Sequence, residues 1–298
     1  MTEYKKYMTE FEKFIHEYSF FYGKDLFSQK TYKLEQRFRE YLDLENLAST
    51  KETAQLIADI AGQRLKKSSS IDIVEIGSGI GGLAVAIARL GNNRVIGIEP
   101  EASAVKASSL RAQKYPDIQA SFIQGYGEKI PLPDSSFDLA YTQSVLEHVT
   151  DVPKVISEAY RVLRPGGVIY IETPNYLWPV EQHYKIFFPP LLPRPLARLY
   201  LKLRKKNPDG INTINYVTPI NISRHLKKAG FINITNNALG EYTKKLSDLS
   251  RIKHRKYLQV LLKTPVVSSI FRGTINSLLS LGLYPGLKVS AQKTGLNE

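Results

Sequence analysis

The sequence predicts a doubly wound α/β domain, a mostly parallel sheet with helices on both faces, on three observations. Between residues 71 and 173, short β-branched runs alternate with helical patterns, the order that successive βαβ units produce. The first run, carrying Ile71, Ile73, Val74 and Ile76, suits a strand buried on both faces of a parallel sheet. It leads into Gly77-Ser-Gly-Ile-Gly-Gly and then into a small-residue helical stretch at 84–88. Glycines at such a turn let the backbone fold sharply and a ligand lie against it, while the helix N-terminus beyond offers free N–H groups to an anion.

Residues 1–70 read as an N-terminal helical cap. Tyr4, Tyr7, Met8, Phe11, Phe14, Ile15, Tyr18 and Phe21 recur at spacings of three and four, one face of an amphipathic helix over 2–22 that Gly23 ends. Similar patterns predict helices over 28–47 and 51–65, before a polar break at 66–70. The core, 71–173, takes strands at 71–76, 94–98, 119–124, 137–142 and 167–173, and helices at 80–90, 102–114 and 152–163. In such sheets ligands bind at the carboxyl ends of the strands, so Gly77, Glu99, Tyr126, Gln143 and Thr173 are expected along one edge.

Residues 174–217 break the alternation. They are dense in proline and aromatic residues up to Pro193, unsuited to helix or interior strand, and read as an ordered loop or lid over that edge. A basic amphipathic helix follows at 191–203. Residues 218–237 supply a helix closed by Gly230 and a sixth strand at 231–235. A helical insertion is expected over 238–286, and a seventh strand at 287–293 before a tail to 298. The insertion's apolar part is interrupted by Lys263, Pro265, Arg272, Gly273, Asn276 and Gly282, which argues against a membrane span.

A chain of 298 residues with 43% hydrophobic content has room for one large α/β domain with additions or for two modest domains. It has no cysteine, hence no disulfide, thiolate metal site, iron–sulfur cluster or cysteine nucleophile. No metal site is expected. Residues 1–13 lack the apolar core of a signal peptide, so a cytoplasmic protein is expected. The net charge of +13 is concentrated: residues 174–298 hold 20 Lys and Arg against 5 Asp and Glu. Such asymmetry points to an anionic partner, namely a phosphorylated substrate, a membrane surface met through 190–206 and 241–286, or a nucleic acid. No recognisable RNA-binding module accompanies the basic region, and nucleic acid is disfavoured.

Two cofactor classes use a loop of this kind. Gly77, Gly79 and Gly82 satisfy the dinucleotide spacing G-x-G-x-x-G, which implies NAD or FAD, and Glu99 stands where an acidic residue holds a ribose under either reading. A short-chain oxidoreductase would also need a Tyr-x-x-x-Lys pair after strand four or five; the pair present, Tyr284 and Lys288, is far along the chain. The form Glu75-x-Gly77-x-Gly79-x-Gly81 instead resembles the class I S-adenosylmethionine-dependent methyltransferases, in their type 11, quinone-biosynthesis-like group. The segment 125–138, the run Ser144-Val-Leu-Glu-His-Val and the run Arg161-Val-Leu-Arg-Pro-Gly-Gly resemble that family's later landmarks.

The resemblance implies a Rossmann-like, seven-stranded fold and S-adenosylmethionine as cofactor. It implies contacts from Glu75, Gly77, Ser78, Gly79 and Gly81 in the loop, and from Glu99 and Pro100 at the ribose. It further implies that Tyr126, Gly127 and Glu128 lie near the adenine and Gln143 near the methionine end. Many relatives carry an aspartate where Tyr126 stands; here Tyr126 is expected to cover the ring, with a backbone carbonyl or Glu128 meeting its amine.

Methyl transfer is an in-line displacement, so alignment matters most, and a hydroxyl acceptor also needs a base. Of five histidines, His183 in the lid and His148 beyond strand four are placed to reach the methyl, with Glu181 in reserve. The residues after strand four lack the Asn/Asp-Pro-Pro-Tyr arrangement of amino-methylating DNA enzymes. The lid is similar to loops of bacterial surface-polysaccharide methyltransferases, and less closely to those acting on quinone precursors. The expected acceptor is a hydroxyl of a small molecule or glycan, with a phosphate-linked sugar or polysaccharide precursor suiting the positive charge; a SAM-binding protein without catalysis is the alternative of a different class.

Overall fold

The computed structural model describes residues 3–23, 34–65, 70–238 and 281–295, with Gly273, Ser277 and Leu279. Helices α1 (Glu3–Gly23), α2 (Leu34–Leu42) and α3 (Ala48–Leu65) precede β1 (Asp72–Ile76), α4 (Gly82–Ala88), β2 (Arg94–Glu99) and α5 (Ala102–Ala112). Next come β3 (Gln119–Gln124), β4 (Phe137–Gln143), α6 (Val152–Val162) and β5 (Leu163–Pro174). The chain continues through β6 (Val180–Glu181), β7 (Ile186–Phe187), α7 (Arg194–Leu203), α8 (Pro219–Ala229), β8 (Phe231–Asn236) and β9 (Gly286–Lys293).

Seven strands form one sheet in the order β3-β2-β1-β4-β5-β9-β8, and β9 runs antiparallel to both its neighbours. The order reverses between β1 and β4, so the crevice for a ligand opens at their carboxyl ends. Alternation along the strands divides the core. Ile73, Val95, Leu139 and Val168 face α3 and α4 on one side, while Val74, Ile76, Ala140, Ile169 and Ile171 face α6 and α8 on the other. Both faces are dry, which is why these strands read as apolar runs.

The helical cap is tied to the sheet through a buried charge cluster. Arg111 of α5, fully buried, pairs with the buried Glu45, which also accepts from Lys114 Nζ at 2.7 Å and Tyr115 Oη at 3.1 Å. The same guanidinium donates through Nε to the Ile80 carbonyl at 2.8 Å. One arginine thus fixes the glycine loop to the cap, and the charges are compensated within the cluster as burial requires.

Three expectations are corrected. The stretch 174–193 is not a loop alone: β6 and β7 pair as a short hairpin, and Tyr176, Tyr184, Phe188, Ala197, Leu201, Ile211 and Ile214 give the lid its own apolar core. The strand expected to begin at residue 167 begins at Leu163, because the turn residues pair with β4 across a register shift between Phe137 and Leu139. The helix expected to run to residue 47 stops at Leu42, and one turn of 3-10 helix, Leu44–Asn46, follows and delivers Glu45 to Arg111. Residues 28–33, the break at 66–69, most of 238–286 with its membrane contact, and His254 lie outside the described residues.

Candidate active site

The glycine loop leaves β1 with Gly77, Gly79 and Gly81 all at positive φ, 76°, 51° and 74°. Two of the three have distinct reasons to be glycine. A Cβ on Gly77 would stand 2.3 Å from Val145 Cγ2, so the turn after β4 packs directly on the backbone there. A Cβ on Gly79 would meet nothing within 4 Å and would project into open space.

That space is a cleft of about 530 Å³, within the range of ligand pockets. Gly77, Gly79, Glu99, Pro100, Tyr126, Gly127, Glu128, Gln143 and His148 line it, with Ile98, Val145, Val149 and Thr150 supplying apolar wall and rim. At its floor Glu99 accepts the Gly79 N–H at 2.9 Å and the Glu101 N–H at 3.1 Å, and burial raises its pKa. Tyr126, 64% exposed, stands at the mouth with its ring off the core. Glu128 is held: its Oε1 accepts both the backbone N–H and the hydroxyl of Thr150 at 2.8 Å, and its pKa is lowered despite partial burial. It braces the loop after β3 against the turn after β4.

Three residues expected at the cofactor do not line the cleft. Ser78 packs against Gly97 of β2, where an added Cβ would lie 2.7 Å from it, and Gly81 packs under Phe122 and Ser108. Glu75 lies beneath the loop, in register with Tyr141 on β4, with Oε2 buried and unpartnered among the described residues. Burial, with the charge of Glu99 nearby, pushes its carboxyl up to about 8.

Behind His148, the member of the next cluster that lines the cleft, two elements far apart in sequence meet. The turn after β4 carries Glu147 and His148; Asn215 of the lid pins it, donating its backbone N–H to the Glu147 carbonyl at 2.6 Å and its Nδ2 to the Leu146 and Val149 carbonyls. The β6–β7 hairpin carries Glu181 and His183. Glu181 accepts from the Tyr184 N–H at 2.7 Å and the Tyr176 hydroxyl at 3.3 Å, and lies 2.8 Å from His183 Nδ1. With Glu181 accepting, His183 Nδ1 is the donor, and in the neutral ring Nε2 carries the lone pair. That Nε2 lies 3.2 Å from His148 Nε2. Glu147, 1% exposed, accepts from Thr173 Oγ1 at 2.9 Å, and burial raises its pKa to about 7.

A seven-stranded sheet with its last strand antiparallel, a glycine loop at the switch point and a carboxylate at the end of β2 define a nucleotide-cofactor domain of the methyltransferase type. Residues 74–171 match the family model described as a methyltransferase domain. Residues 74–171, a third of the chain, are a class I S-adenosylmethionine-dependent methyltransferase domain of the type 11 group. The chain is 37% identical over 118 residues to a probable S-adenosylmethionine-dependent methyltransferase of Mycolicibacterium smegmatis, covering 39% of this chain and 44% of that one. It is 34% identical over 113 residues to a ubiquinone biosynthesis O-methyltransferase of a Bradyrhizobium species, covering 37% and 42%. The matched stretch thus spans less than half the length of either relative. A solved structure of Haemonchus contortus phosphoethanolamine N-methyltransferase 2 with S-adenosyl-L-methionine shares the fold at a TM-score of 0.52 and 18% identity, covering 82% of this chain and 52% of that one.

The cleft fits S-adenosylmethionine. The open face of Gly79, the carboxylate of Glu99 beside it and a rim formed by Tyr126, Gly127 and Gln143 are what a nucleoside with a zwitterionic tail needs. The short-chain dehydrogenase pair is absent from the cleft: Tyr284 is buried and bonds Asn236, and Lys288 lies 4.0 Å from Glu172. The structure brings His148, His183 and Glu181 together. Sequence reading missed Glu147 and Tyr176 beside them, although Glu147 stands in the run Ser144-Val-Leu-Glu-His-Val; Thr173, expected along this edge, donates its hydroxyl to Glu147.

Proposed function

We propose that this protein is an enzyme that transfers a methyl group from S-adenosylmethionine to a hydroxyl of a small-molecule acceptor, ionising that hydroxyl at the His148–His183 pair. The observation that carries the reading is the Glu181–His183–His148 chain, whose last member lines the cofactor cleft. Bound cofactor supplies an electrophilic methyl group on a sulfonium. Glu99 and the Gly79 backbone hold the nucleoside, and Gln143 and the turn after β4 face the methyl end. Glu181 holds the His183 ring and balances positive charge developing on the imidazoles when the acceptor loses its proton.

The basic lid supports an anionic acceptor, a phosphate-linked sugar or glycan precursor. The likeness to a ubiquinone biosynthesis O-methyltransferase supports a second reading in which a hydroxylated quinone or lipid precursor takes the methyl group. For either, α7 is suited to an anionic lipid surface. Leu196, Leu199 and Leu203 are exposed along one face, next to Arg194, Arg198 and Lys202, and Phe187 and Leu191 extend the apolar patch. Among the described residues no helix is long and apolar enough to cross a membrane.

The test is formation of S-adenosylhomocysteine against a panel of hydroxylated sugar phosphates and quinone precursors. With an accepted substrate, His148→Gln is expected to lower kcat by about 10² to 10⁴ with cofactor affinity kept. A variant turning over at the wild-type rate removes the pair from the reaction; methyl transfer to amines alone overturns the hydroxyl acceptor.

A further inference from the structure

Glu147, His148 and His183 each offer one ligand atom within 4.8 Å of the others. One feature of this cluster has no account in acid–base chemistry, and a second suits a metal ligand as well as a base. Glu147 spends Oε2 on the Thr173 hydroxyl, but its Oε1 is buried and has no hydrogen-bond partner among the described residues, 3.9 Å from His148 Nε2. A carboxylate oxygen stranded in this way is costly unless a cation meets it. The second feature is on the far side of the cluster, where the buried Glu181 accepts from His183 Nδ1 and leaves the Nε2 lone pair directed at the same spot. A carboxylate behind an imidazole is the usual support of a metal-bound histidine.

We propose that Glu147 Oε1, His148 Nε2 and His183 Nε2 bind a divalent transition-metal ion of the zinc type at the edge of the cofactor cleft, with a coordination position left for the acceptor oxygen. Two imidazoles and one carboxylate are a donor set that zinc takes in catalytic sites, where a fourth position stays open. Nitrogens at the Zn–N bond length with tetrahedral angles stand about 3.3 Å apart. The two Nε2 atoms here are 3.2 Å apart. The carboxylate oxygen stands 3.9 Å from His148 Nε2 and within 4.8 Å of the His183 ligand atom, so the Glu147 side chain has to move toward both rings when the ion binds.

The proposal deepens the function above and rests on that reading of the cleft. When the acceptor hydroxyl binds the ion, its O–H bond breaks, the proton passes to solvent water, and the electron pair stays on the ion-bound oxygen as the nucleophile. The imidazole pair then acts through the ion it holds, and Glu181 is a positioning residue.

The experiment is calorimetric titration of chelator-treated full-length protein with Zn²⁺, repeated with Co²⁺ while visible absorption is recorded. Wild type is expected to bind one ion per chain, with the absorption of a low-coordinate N/O site for cobalt. Glu181→Gln is expected to weaken affinity about 10- to 100-fold. Glu147→Gln and His183→Gln are expected to abolish stoichiometric binding; the partly exposed His183 keeps the test valid if the buried glutamate variant does not fold. No stoichiometric binding by wild type, or binding indifferent to His183→Gln, overturns the site. Methyl transfer that persists in chelator without any bound ion overturns the site and leaves the function standing. Stoichiometric binding in a protein that methylates no hydroxyl supports the site and overturns the function.

Discussion

Glu99→Gln separates two tasks that one carboxylate performs. In the structure its two oxygens accept the Gly79 and Glu101 N–H groups, holding the glycine loop against the end of β2. Gln keeps the shape and one acceptor but places an NH₂ group against the other N–H. Leaving one backbone donor unsatisfied costs about 1–3 kcal/mol, a fall in Tm of a few degrees in a chain of this size. The effect on the cofactor is larger in relative terms. A carboxylate accepts both hydroxyls of a ribose, and a hydrogen bond to a charged group contributes about 1.5–3 kcal/mol, which predicts a 10- to 150-fold loss of affinity. Calorimetry with S-adenosylmethionine and S-adenosylhomocysteine should show the same loss for both, because the ribose is common to them. Burial raises the Glu99 pKa, so wild-type affinity should fall as pH falls through that value while the variant stays flat. Unchanged affinity in a folded Glu99→Gln protein would mean that the ribose does not sit at the end of β2.

Three further outcomes are expected. Gly77→Ala and Gly79→Ala should diverge. The first clashes with Val145 and loses stability by a few kcal/mol. The second carries only the strain of φ +51°, about 1 kcal/mol, yet its methyl enters the cleft and lowers cofactor affinity; thermal melts paired with titrations check both. Glu75 has a folded pKa of about 8, above its unfolded value, so the native state binds more protons between these values and loses stability as pH rises through that window. Tm should therefore fall from pH 5 to pH 8.5 in wild type and fall less in Glu75→Gln, and parallel curves would show that Glu75 is ionised in the native protein. Exchanging Leu196, Leu199 and Leu203 together for Ser should abolish flotation with vesicles rich in anionic lipid and spare S-adenosylmethionine affinity; undiminished flotation would take α7 off the lipid surface.

The sheet was legible because its signals are local. Both faces of β1, β2 and β4 are buried, so apolar runs mark them, and the glycine turn follows at once. Gly79, Glu99 and Gln143 could be named from sequence because topology alone brings strand ends to one edge. Ser78 and Gly81 could not be sorted from Gly79 in that way, since whether a loop residue faces the cleft or packs on Gly97 and Phe122 depends on the helix beyond. The lid was misread for a related reason. Its prolines argue against long strands, but a two-residue pairing at Glu181 and Ile186 requires little propensity and is stabilised by the Tyr176, Tyr184 and Phe188 core. Glu147 was missed because Glu and His in adjacent positions are common; only the hairpin's return with His183 and Glu181 gives them a shared centre. Arg111 gave no signal either, because its partner Glu45 lies 66 residues away.

A methyl-transfer enzyme with this fold must hold its cofactor in the cleft between the Gly77 loop and Glu99. Titrating the purified protein with S-adenosylmethionine, S-adenosylhomocysteine and NAD in parallel tests it most directly. Both sulfur cofactors are expected to bind, with Kd on the order of micromolar, Gly79→Ala to weaken both, and NAD to give no heat. Binding of NAD alone would contradict it, and the assignments around His148, His183 and Glu181 would fall with it.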